Sequence, residues 1–468
     1  MTSLNLAGEW ALSDDRGGYT CAINLPTDGI SALHAAGLIP DPYWGRNEYE
    51  LRWIAERDWT AERSFVLTET DVDLVLSGVD TIVSVTVNGV EVLACDNAFR
   101  SYRVGLQDAA KVGENIIQVR FRNSIAHAKA LQDAHPFYLP YQEINNPIAN
   151  VNMLRKPQCD YGWDWNIALA PFGIYGDMRV EPSKAARIEN VMVWQDHTAE
   201  GVKLSIKADV HHHDGEVSAE IDGIIATATA AIGSVTLEAT IPEPRLWWPT
   251  VQGEQLLYDL TVTAGTAVET RKIGLRTMEL ITEKDQAGLS FLFRVNGRDV
   301  FAKGANWIPA DALAGQITLE KTRNLLQSAV DANMNMIRIW GGGRYEDDWF
   351  YDLCDALGLM VWQDFMFACH IYPSDDAYLE NVKAEAAENV ARLQHHASLA
   401  LWCGDNELVG ALTWFEETRS NRDRYLVNYD RLNRTLETTL KAVDPLANWW
   451  ASSPSAGPLD FGDTFHED

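Results

Sequence analysis

The residue periodicity of the sequence changes once, near residue 285, and this change constrains the fold more than any other feature. Before it, short runs of alternating apolar and polar residues are separated by turn residues, as in the half-buried strands of antiparallel sheets. After it, apolar strand-like runs alternate with longer helical segments, the pattern of a parallel sheet covered by helices. A chain of 468 residues also exceeds one ordinary domain. We therefore predict a multidomain β plus α/β architecture.

The antiparallel part divides into two predicted sandwiches. Residues 1–185 contain runs such as VDLVLSGV and NIIQVRFRN, and Asn88-Gly89 is a hairpin signal between two such runs. Residues 186–282 contain a second series of strands, about the length of one immunoglobulin-like sandwich. We predict one domain boundary near residue 185 and a second near residue 282.

Residues 283–468 contain five strand-like runs, the first of them within FRVNGRDVFAKGANWIP. Polar or aromatic residues stand where each of the first four runs leaves the sheet: Asn306 and Trp307, Arg338 and Trp340, Gln363 and Asp364, Asn406 and Glu407. In (β/α)8 barrels the active site is built at these C-terminal strand ends. The five strands therefore belong either to an open α/β sheet or to the first part of a barrel of eight; we expect the barrel.

Charge and composition exclude several classes of partner. A net charge of −29 opposes binding to nucleic acid or to an anionic membrane, so a neutral substrate fits better. The sequence shows neither a signal peptide nor the run of about 18 apolar residues that a membrane span needs. Six cysteines stand singly, without metal or disulfide spacing: Cys21, Cys95, Cys159, Cys354, Cys369 and Cys403. This spacing predicts reduced thiols and a cytoplasmic protein.

A run of three histidines, His211-His212-His213-Asp214, suggests a metal site at first inspection. Consecutive side chains alternate between the two sides of a strand and cannot converge on one ion. We therefore predict the solvated end of a hairpin here. Nothing else in the sequence requires a metal ion or an organic cofactor.

Seventeen tryptophans suggest a carbohydrate ligand, because aromatic rings stack on the C–H faces of sugars. Most of these residues will be core residues. Two Trp-rich irregular segments, 41–65 and 155–176, interrupt the first predicted sandwich. Long ordered loops of this composition are usually binding loops or domain contacts.

Glu407 is a candidate general acid, because it follows the apolar strand SLALWCG. Low dielectric at such a position disfavours the ionised carboxylate and raises its pKa. Glycoside hydrolysis needs this group and a second carboxylate, about 5 to 5.5 Å away in retaining enzymes. The alternative is a structural ion pair between Glu407 and Arg338.

Several motifs together resemble the β-mannosidases of glycoside hydrolase family 2. They are KGANWIPAD, RIWGGGRYEDDWFYDLCDALGLMVWQDFMFAC and LWCGDNE in the α/β part, and DPYWGRNEYELRWIAERDW and YGWDW in the first sandwich. The resemblance implies a jelly-roll-like sugar-binding sandwich, an immunoglobulin-like sandwich and part of a (β/α)8 TIM barrel. It also implies a retaining enzyme that removes terminal β-mannose from oligosaccharides or glycoconjugates, and a homo-oligomer is possible.

The resemblance also implies roles for residues at the strand ends. Glu407 would be the acid/base, and Asn406 would hydrogen-bond the sugar 2-hydroxyl. Trp340 would form an apolar wall of the sugar subsite, with open surroundings because glycines follow it. Arg338 would either keep the nucleophile ionised or pair with an internal acid such as Asp364.

Four further residues would complete the pocket. Trp163 and Asp164 would reach it from the first sandwich, with Asp164 accepting hydrogen bonds from sugar hydroxyls, unless this loop is only a domain contact. Cys369 would be a small lining residue. Trp414 would cap the site, form a leaving-group subsite or pack in the core.

The sequence departs from the family pattern at two places. It continues YGWDW with NIALAPFG where the family usually has GPR, which changes the support of Asp164. It also has GDNE where GNNE is commoner, so Asp405 adds a negative charge that would raise the pKa of Glu407 if unsolvated.

The family nucleophile lies near the end of the seventh barrel strand, whereas five strands are found here. Residues 1–468 alone are therefore expected to be inactive. The alternatives are another family 2 exo-β-glycosidase, such as a β-glucosaminidase-like or β-galactosidase-like enzyme, and a carbohydrate-binding protein without catalysis. A binding protein would not require the polar set at the strand ends.

Overall fold

The computed structural model describes residues 3–230 and 233–455. Residues 4–182 form antiparallel sheets, the two largest with strand orders β1-β15-β6-β10 and β3-β2-β5-β11-β8-β9. The strands are β1 (Leu4–Asn5), β2 (Gly8–Asp14), β3 (Thr20–Leu25), β4 (Thr27–Asp28), β5 (Trp59–Leu67), β6 (Val72–Ser77), β7 (Val79–Asp80), β8 (Val83–Val87), β9 (Val90–Cys95), β10 (Ser101–Gly105), β11 (Gly113–Phe121), β12 (Tyr161–Trp163), β13 (Asn166–Ala168), β14 (Gly173–Ile174) and β15 (Met178–Pro182). The helices are α1 (Gly29–Ala35), α2 (Asn47–Leu51) and α3 (Ser124–Ala134), with 3-10 turns at Arg52–Glu56, Val151–Met153 and Gln158–Asp160.

Alternation places the core of this first sandwich between its sheets. In β11, Ile117, Val119 and Phe121 are buried while the residues between them are more exposed. The Asn-Gly hairpin prediction is confirmed, since Asn88 (φ 51°) and Gly89 (φ 82°) join β8 to β9 in the left-handed conformations such a turn requires.

A second antiparallel sandwich follows, with sheets β16-β17-β20 and β19-β18-β21-β22. Its strands are β16 (Arg187–Thr198), β17 (Gly201–His211), β18 (Glu216–Ile221), β19 (Ile224–Thr229), β20 (Gly233–Ile241), β21 (Tyr258–Ala264) and β22 (Ala267–Ile273). The hairpin expected at the histidine run is absent: β17 and β18 lie in different sheets, so the run crosses between them. His211 pairs with Glu189, and His213 hydrogen-bonds the Glu216 carbonyl, so the histidine side chains do not converge on one metal position.

The last part begins with a short antiparallel sheet of β23 (Met278–Ile281), β24 (Leu292–Val295) and β25 (Arg298–Val300). FRVNGRDVFAKGANWIP is therefore not one strand. Asn296 (φ 50°) and Gly297 (φ 76°) turn the chain between β24 and β25, and the first parallel strand follows this hairpin. The hairpin was missed because its two strands are short.

Five parallel strands follow and lie side by side in chain order, as the sequence predicts. They are β26 (Gly304–Trp307), β27 (Met336–Ile339), β28 (Met360–Asp364), β29 (Leu399–Cys403) and β30 (Trp449–Trp450). The helices are α4 (Leu319–Asp331), α5 (Asp348–Leu357), α6 (Asp376–Leu393), α7 (Leu408–Trp414), α8 (Glu416–Ser420) and α9 (Arg422–Val443), with a 3-10 turn at Ala314–Gln316. Every residue of β29 is buried, which explains its uninterrupted apolar run.

The two ends of the parallel strands have different surroundings. Met336 and Met360, the first residues of β27 and β28, pack with Trp247 and Phe293 in one apolar cluster. The second sandwich and the β23–β25 sheet thus cover the N-terminal strand ends. The C-terminal ends remain for a site.

A buried ion pair joins the first sandwich to α6. Arg155 donates to both carboxylate oxygens of Glu385, at 2.8 and 2.7 Å, and both side chains are 1% exposed. Asn97 donates to the same carboxylate at 2.9 Å. Breaking a buried pair leaves an uncompensated charge, so these bonds hold the two units together.

Among the described residues, no helix has the length and apolar character to traverse a bilayer.

Candidate active site

Three neighbouring strands deliver the polar residues predicted at their C-terminal ends. Arg338 lies in β27, Asp364 ends β28, and Asn406 and Glu407 follow β29. Asn406 also forms bridges to Ala368 and Ser453, on the segments that follow β28 and β30. Parallel pairing therefore gathers residues that are far apart in sequence at one edge.

Arg338 pairs with Asp364, one of the two partners left open by the sequence. Its Nη2 donates to Asp364 Oδ2 at 2.7 Å and to the amide oxygen of Asn406 at 2.9 Å. Asp364 also accepts from the Gly341 backbone N–H and from Trp362 Nε1. Burial raises the pKa of Asp364, and Arg338 opposes this shift. Because Arg338 fixes the Asn406 oxygen, the amide nitrogen of Asn406 points to the opposite side.

Asn406, Cys369 and Glu407 form a compact hydrogen-bonded group on that side. Asn406 Nδ2 donates to Cys369 Sγ and to Glu407 Oε2, each at 3.3 Å. The Cys369 thiol donates to the same Glu407 oxygen at 3.0 Å. Burial, followed by the charge of Glu407, keeps the pKa of the thiol well above its ordinary value. Cys369 is therefore a neutral donor.

Backbone conformation also marks this group. Cys369 has φ 57° and Glu407 φ 66°, in the left-handed region that residues with a Cβ seldom adopt. The Cys369 N–H donates to the Asn406 carbonyl at 2.9 Å, and the Glu407 N–H to the Ser453 carbonyl at 3.0 Å. Such strain persists only where the surroundings enforce it, commonly at functional sites.

Three tryptophans predicted for the pocket lie in one apolar cluster, with Trp163 and Trp414 packing against Trp340, Cys159 and Cys369. The rings of Trp163 and Trp340 lie 4.7 Å apart at 78°. Open surroundings for Trp340 were expected, and that expectation is wrong. A Cβ on Gly342 would lie 1.9 Å from the Trp340 ring, and Trp340 is only 7% exposed. The glycine is required for close packing on the ring.

Asp164 lies at the exposed tip of the β12–β13 hairpin, next to Trp165, which is 41% exposed. Trp165 contacts the edge of Trp340, with centroids 5.6 Å apart. Asn166 donates to the Cys159 carbonyl at 2.8 Å, and the Ala168 N–H donates to Glu48 at 2.8 Å. The segment NIALAPFG thus supports its own hairpin, with help from the other Trp-rich loop.

The Asp405 carboxylate is directed into the protein and is occupied by three donors. It accepts from the Leu408 backbone N–H at 3.0 Å, from Ser452 at 2.5 Å and from Tyr429 at 3.0 Å. Burial raises the pKa of Asp405 to about 7.

His370 was missed by the sequence analysis. It is fully buried, its Nδ1 accepts from the Gln142 backbone N–H at 3.1 Å, and its ring lies 5.9 Å from that of Trp163. Burial lowers its pKa to about 3, so the ring is neutral at ordinary pH. The aromatic segment FACHIYP was the available signal, but it has no spacing that marks a function.

Within the described ranges, one group of three potential metal ligands exists: Asp352, Asp355 and His396. Asp355 already accepts from His396 Nδ1 and from the Ser398 N–H, each at 2.7 Å. The group lies on α5 and before the start of β29, at the opposite ends of the strands from Glu407. The hydrogen bonds of Asp355 give this group a structural role.

Comparison with known proteins identifies the family. Two family models match consecutive parts of the chain. The model "Glycosyl hydrolase 2 galactose-binding domain-like" matches residues 10–176, and the model "Glycosyl hydrolases family 2" matches residues 174–276. The chain is 34% identical to a β-mannosidase of Bos taurus over 98% of its own length and 56% of that protein. It is 33% identical to a probable β-mannosidase of Caenorhabditis elegans, over 97% of the chain and 55% of that protein. The chain thus spans little more than half the length of these relatives.

Comparison with solved structures agrees with the comparison of sequences. A β-D-mannosidase from Dictyoglomus thermophilum matches with a TM-score of 0.88 and 32% identity, over 98% of this chain and 58% of that one. An exo-chitosanase of Amycolatopsis orientalis shares the fold, with a TM-score of 0.73 and 17% identity, over 97% of this chain and 53% of that one. From its two consecutive domain matches and its similarity to β-mannosidases, this chain belongs to glycoside hydrolase family 2.

Proposed function

We propose that the protein containing this chain is a retaining exo-β-mannosidase that removes terminal β-D-mannose from oligosaccharides or glycoconjugates. The observation that carries the proposal is the hydrogen-bonded group of Cys369, Asn406 and Glu407 at the strand ends. Similarity to β-mannosidases over nearly the whole chain supports the choice of sugar.

In this mechanism Glu407 is the general acid and then the general base. It protonates the departing glycosidic oxygen, and its carboxylate later removes a proton from the water that releases mannose. Asn406 donates to the sugar 2-hydroxyl, a bond that strengthens as positive charge develops at the anomeric carbon. Trp340 supplies the apolar wall, and Trp414 borders the leaving-group side.

The substrate is also contacted from the first sandwich in this proposal. The β12–β13 hairpin presents Trp163 and Asp164, and the contact of its Trp165 with Trp340 supports its position at the pocket rim. Asp164 accepts hydrogen bonds from sugar hydroxyls. The exposure of its carboxylate supports a role in binding a ligand from solvent.

A retaining mechanism needs a nucleophile about 5 to 5.5 Å from the acid/base carboxyl. Of the described acids beside Glu407, Asp364 is engaged by Arg338 and Gly341, and Asp405 by three donors. We therefore place the nucleophile outside the described residues. Arg338, through Asn406, positions the acid/base side of the pocket.

We also propose the architecture that this mechanism requires. The domains are a jelly-roll-like sandwich (residues 1–185), an immunoglobulin-like sandwich (186–282) and part of a (β/α)8 barrel (283–468). Parallel strands in unbroken chain order support the barrel, because a doubly wound sheet reverses its strand order. Six free thiols support a reducing, cytoplasmic compartment.

The test uses the complete gene product and aryl β-glycosides of mannose, glucose, galactose and glucosamine. We expect the mannoside to be cleaved with the highest kcat/KM. In Glu407→Ala, turnover of an unactivated mannobioside should fall by about 10²- to 10⁴-fold, and azide should restore cleavage of substrates with good leaving groups. Preference for another sugar would refute the substrate, and near-normal mannobioside hydrolysis by the variant would refute the role of Glu407.

A further inference from the structure

Asp405 holds together three segments that meet beneath Glu407. Its carboxylate accepts from Leu408 at the start of α7, from Tyr429 in α9 and from Ser452 after β30. The Ser453 N–H donates to the Asp405 carbonyl, and the Ser453 carbonyl accepts from the Glu407 N–H, each at 3.0 Å. Asp405 therefore fixes the chain on both sides of Glu407.

The Asp405 group is tightly constrained. Asp405 is 1% exposed, and Asn433 donates to the Tyr429 hydroxyl at 3.2 Å, which leaves the phenol proton for Asp405. Glu407 has the left-handed conformation described above, which persists only where the surroundings enforce it. The bonds of Asp405 to the flanking segments are part of those surroundings.

Protonation of Asp405 would force such a rearrangement. All three partners donate to the ionised carboxylate, and the backbone N–H of Leu408 can only donate. A protonated carboxyl must itself donate, so the hydroxyl of Ser452 or Tyr429 has to turn round and accept. The hydrogen-bond geometry around the Asn406–Glu407 turn therefore differs between the two charge states.

Other titratable groups surround Asp405, and their pKa values show which group changes charge near neutral pH. Asp364 and the thiol of Cys369 interact electrostatically with it, Cys403 donates to its carbonyl at 3.4 Å, and Tyr429 faces its carboxylate. The pKa values of both thiols and of the Tyr429 phenol lie well above their ordinary values. Asp405 itself, with a pKa raised to about 7, is the member that changes charge near neutrality.

We propose that Asp405 is a positioning residue for Glu407, and that its charge state gives turnover a pH dependence additional to that of the reacting carboxyl groups. This inference rests on the proposed glycosidase function and deepens it.

The experiment measures kcat/KM against pH for an aryl β-mannoside, using the complete gene product and three variants. Asp405→Asn keeps an acceptor for Leu408 but cannot titrate. Tyr429→Phe removes one donor that stabilises the carboxylate. Asp355→Asn is the matched control, because Asp355 is also fully buried and accepts from a backbone N–H and a side chain, but lies on α5.

We expect a wild-type inflection near pH 7 that is absent in Asp405→Asn, unchanged in Asp355→Asn and displaced upward by about half a pH unit or more in Tyr429→Phe. KM should change less than kcat, since Asp405 does not touch the substrate. Identical profiles for wild type, Asp405→Asn and Tyr429→Phe would overturn the inference while leaving the proposed function intact. Absence of mannoside hydrolysis by the wild type would instead refute the proposed function. If Asp405→Asn does not fold, the direction of the Tyr429→Phe displacement decides.

Discussion

The Cys369 thiol donates a hydrogen bond to Glu407 Oε2 across 3.0 Å. Asn406 donates to the same oxygen, so the side-chain hydrogen bonds of Glu407 within the described residues converge on Oε2. The carboxyl is therefore held through one oxygen. In the proposed mechanism, such bonds would orient Glu407 and leave Oε1 available for proton transfer.

We therefore expect Cys369→Ala to lower kcat/KM for mannosides by roughly threefold to tenfold, the value of one neutral hydrogen bond of about 1 kcal/mol. Cys369→Ser keeps a donor of similar size and should retain activity within about twofold. Steady-state kinetics of both variants in the complete gene product provide the measurement. Equal losses in the two variants would indicate packing instead of hydrogen bonding.

Asp164→Ala should lower kcat/KM by about 30-fold, because charged hydrogen bonds contribute about 1.5 to 3 kcal/mol each. The loss arises at the exposed tip of the β12–β13 hairpin, so thermal stability should hardly change. Asp133→Ala is the control, an exposed carboxylate at the end of α3. Activity of Asp164→Ala within twofold of wild type would make the hairpin a purely structural contact.

Glu385→Ala should destabilise the chain by about 3 to 5 kcal/mol, since it leaves the Arg155 guanidinium buried without its counter-ion. Urea denaturation of the 468-residue chain, followed by tryptophan fluorescence, measures the loss. The exposed pair Lys129–Asp133 is the control, and Asp133→Ala should cost at most about 1 kcal/mol. A similar small loss for both variants would mean that water reaches the Arg155 site.

His370 should make the protein less stable as the pH falls below about 6.5, the ordinary pKa of the histidine ring. Below that pH the unfolded chain binds a proton on His370, whereas the folded chain stays neutral until about pH 3. Stability is therefore lost by up to about 1.4 kcal/mol per pH unit across this window. Urea titrations at pH 5 and pH 7 should show a smaller pH effect in His370→Gln, and equal effects in both proteins would contradict the assignment.

Sequence patterns predicted those features that depend on periodicity. The five parallel strands and the Asn88-Gly89 turn follow from apolar runs and local backbone preference, and both are present. Strand ends also predicted the gathering of Arg338, Asp364 and Asn406, because parallel pairing brings those ends together.

Side-chain direction could not be predicted in the same way. Asp405 is separated from Glu407 by one residue in the sequence, but its side chain hydrogen-bonds Tyr429 and Ser452, whose approach depends on tertiary packing. His370 was missed for the same reason: its partner, the Gln142 backbone, comes from another domain. The sequence identifies which residues lie near the site, and the assembled fold decides where they point.

The contact between Gly342 and Trp340 limits how the proposed sugar pocket can be redesigned. No side chain other than hydrogen fits at position 342 while the indole stays where it is. A mutant library aimed at new sugar specificities should therefore leave residue 342 fixed and vary the rim at Trp163 and Trp165 instead. Any side chain at position 342 would displace the indole from the apolar cluster that Trp340 forms with Cys159 and Cys369.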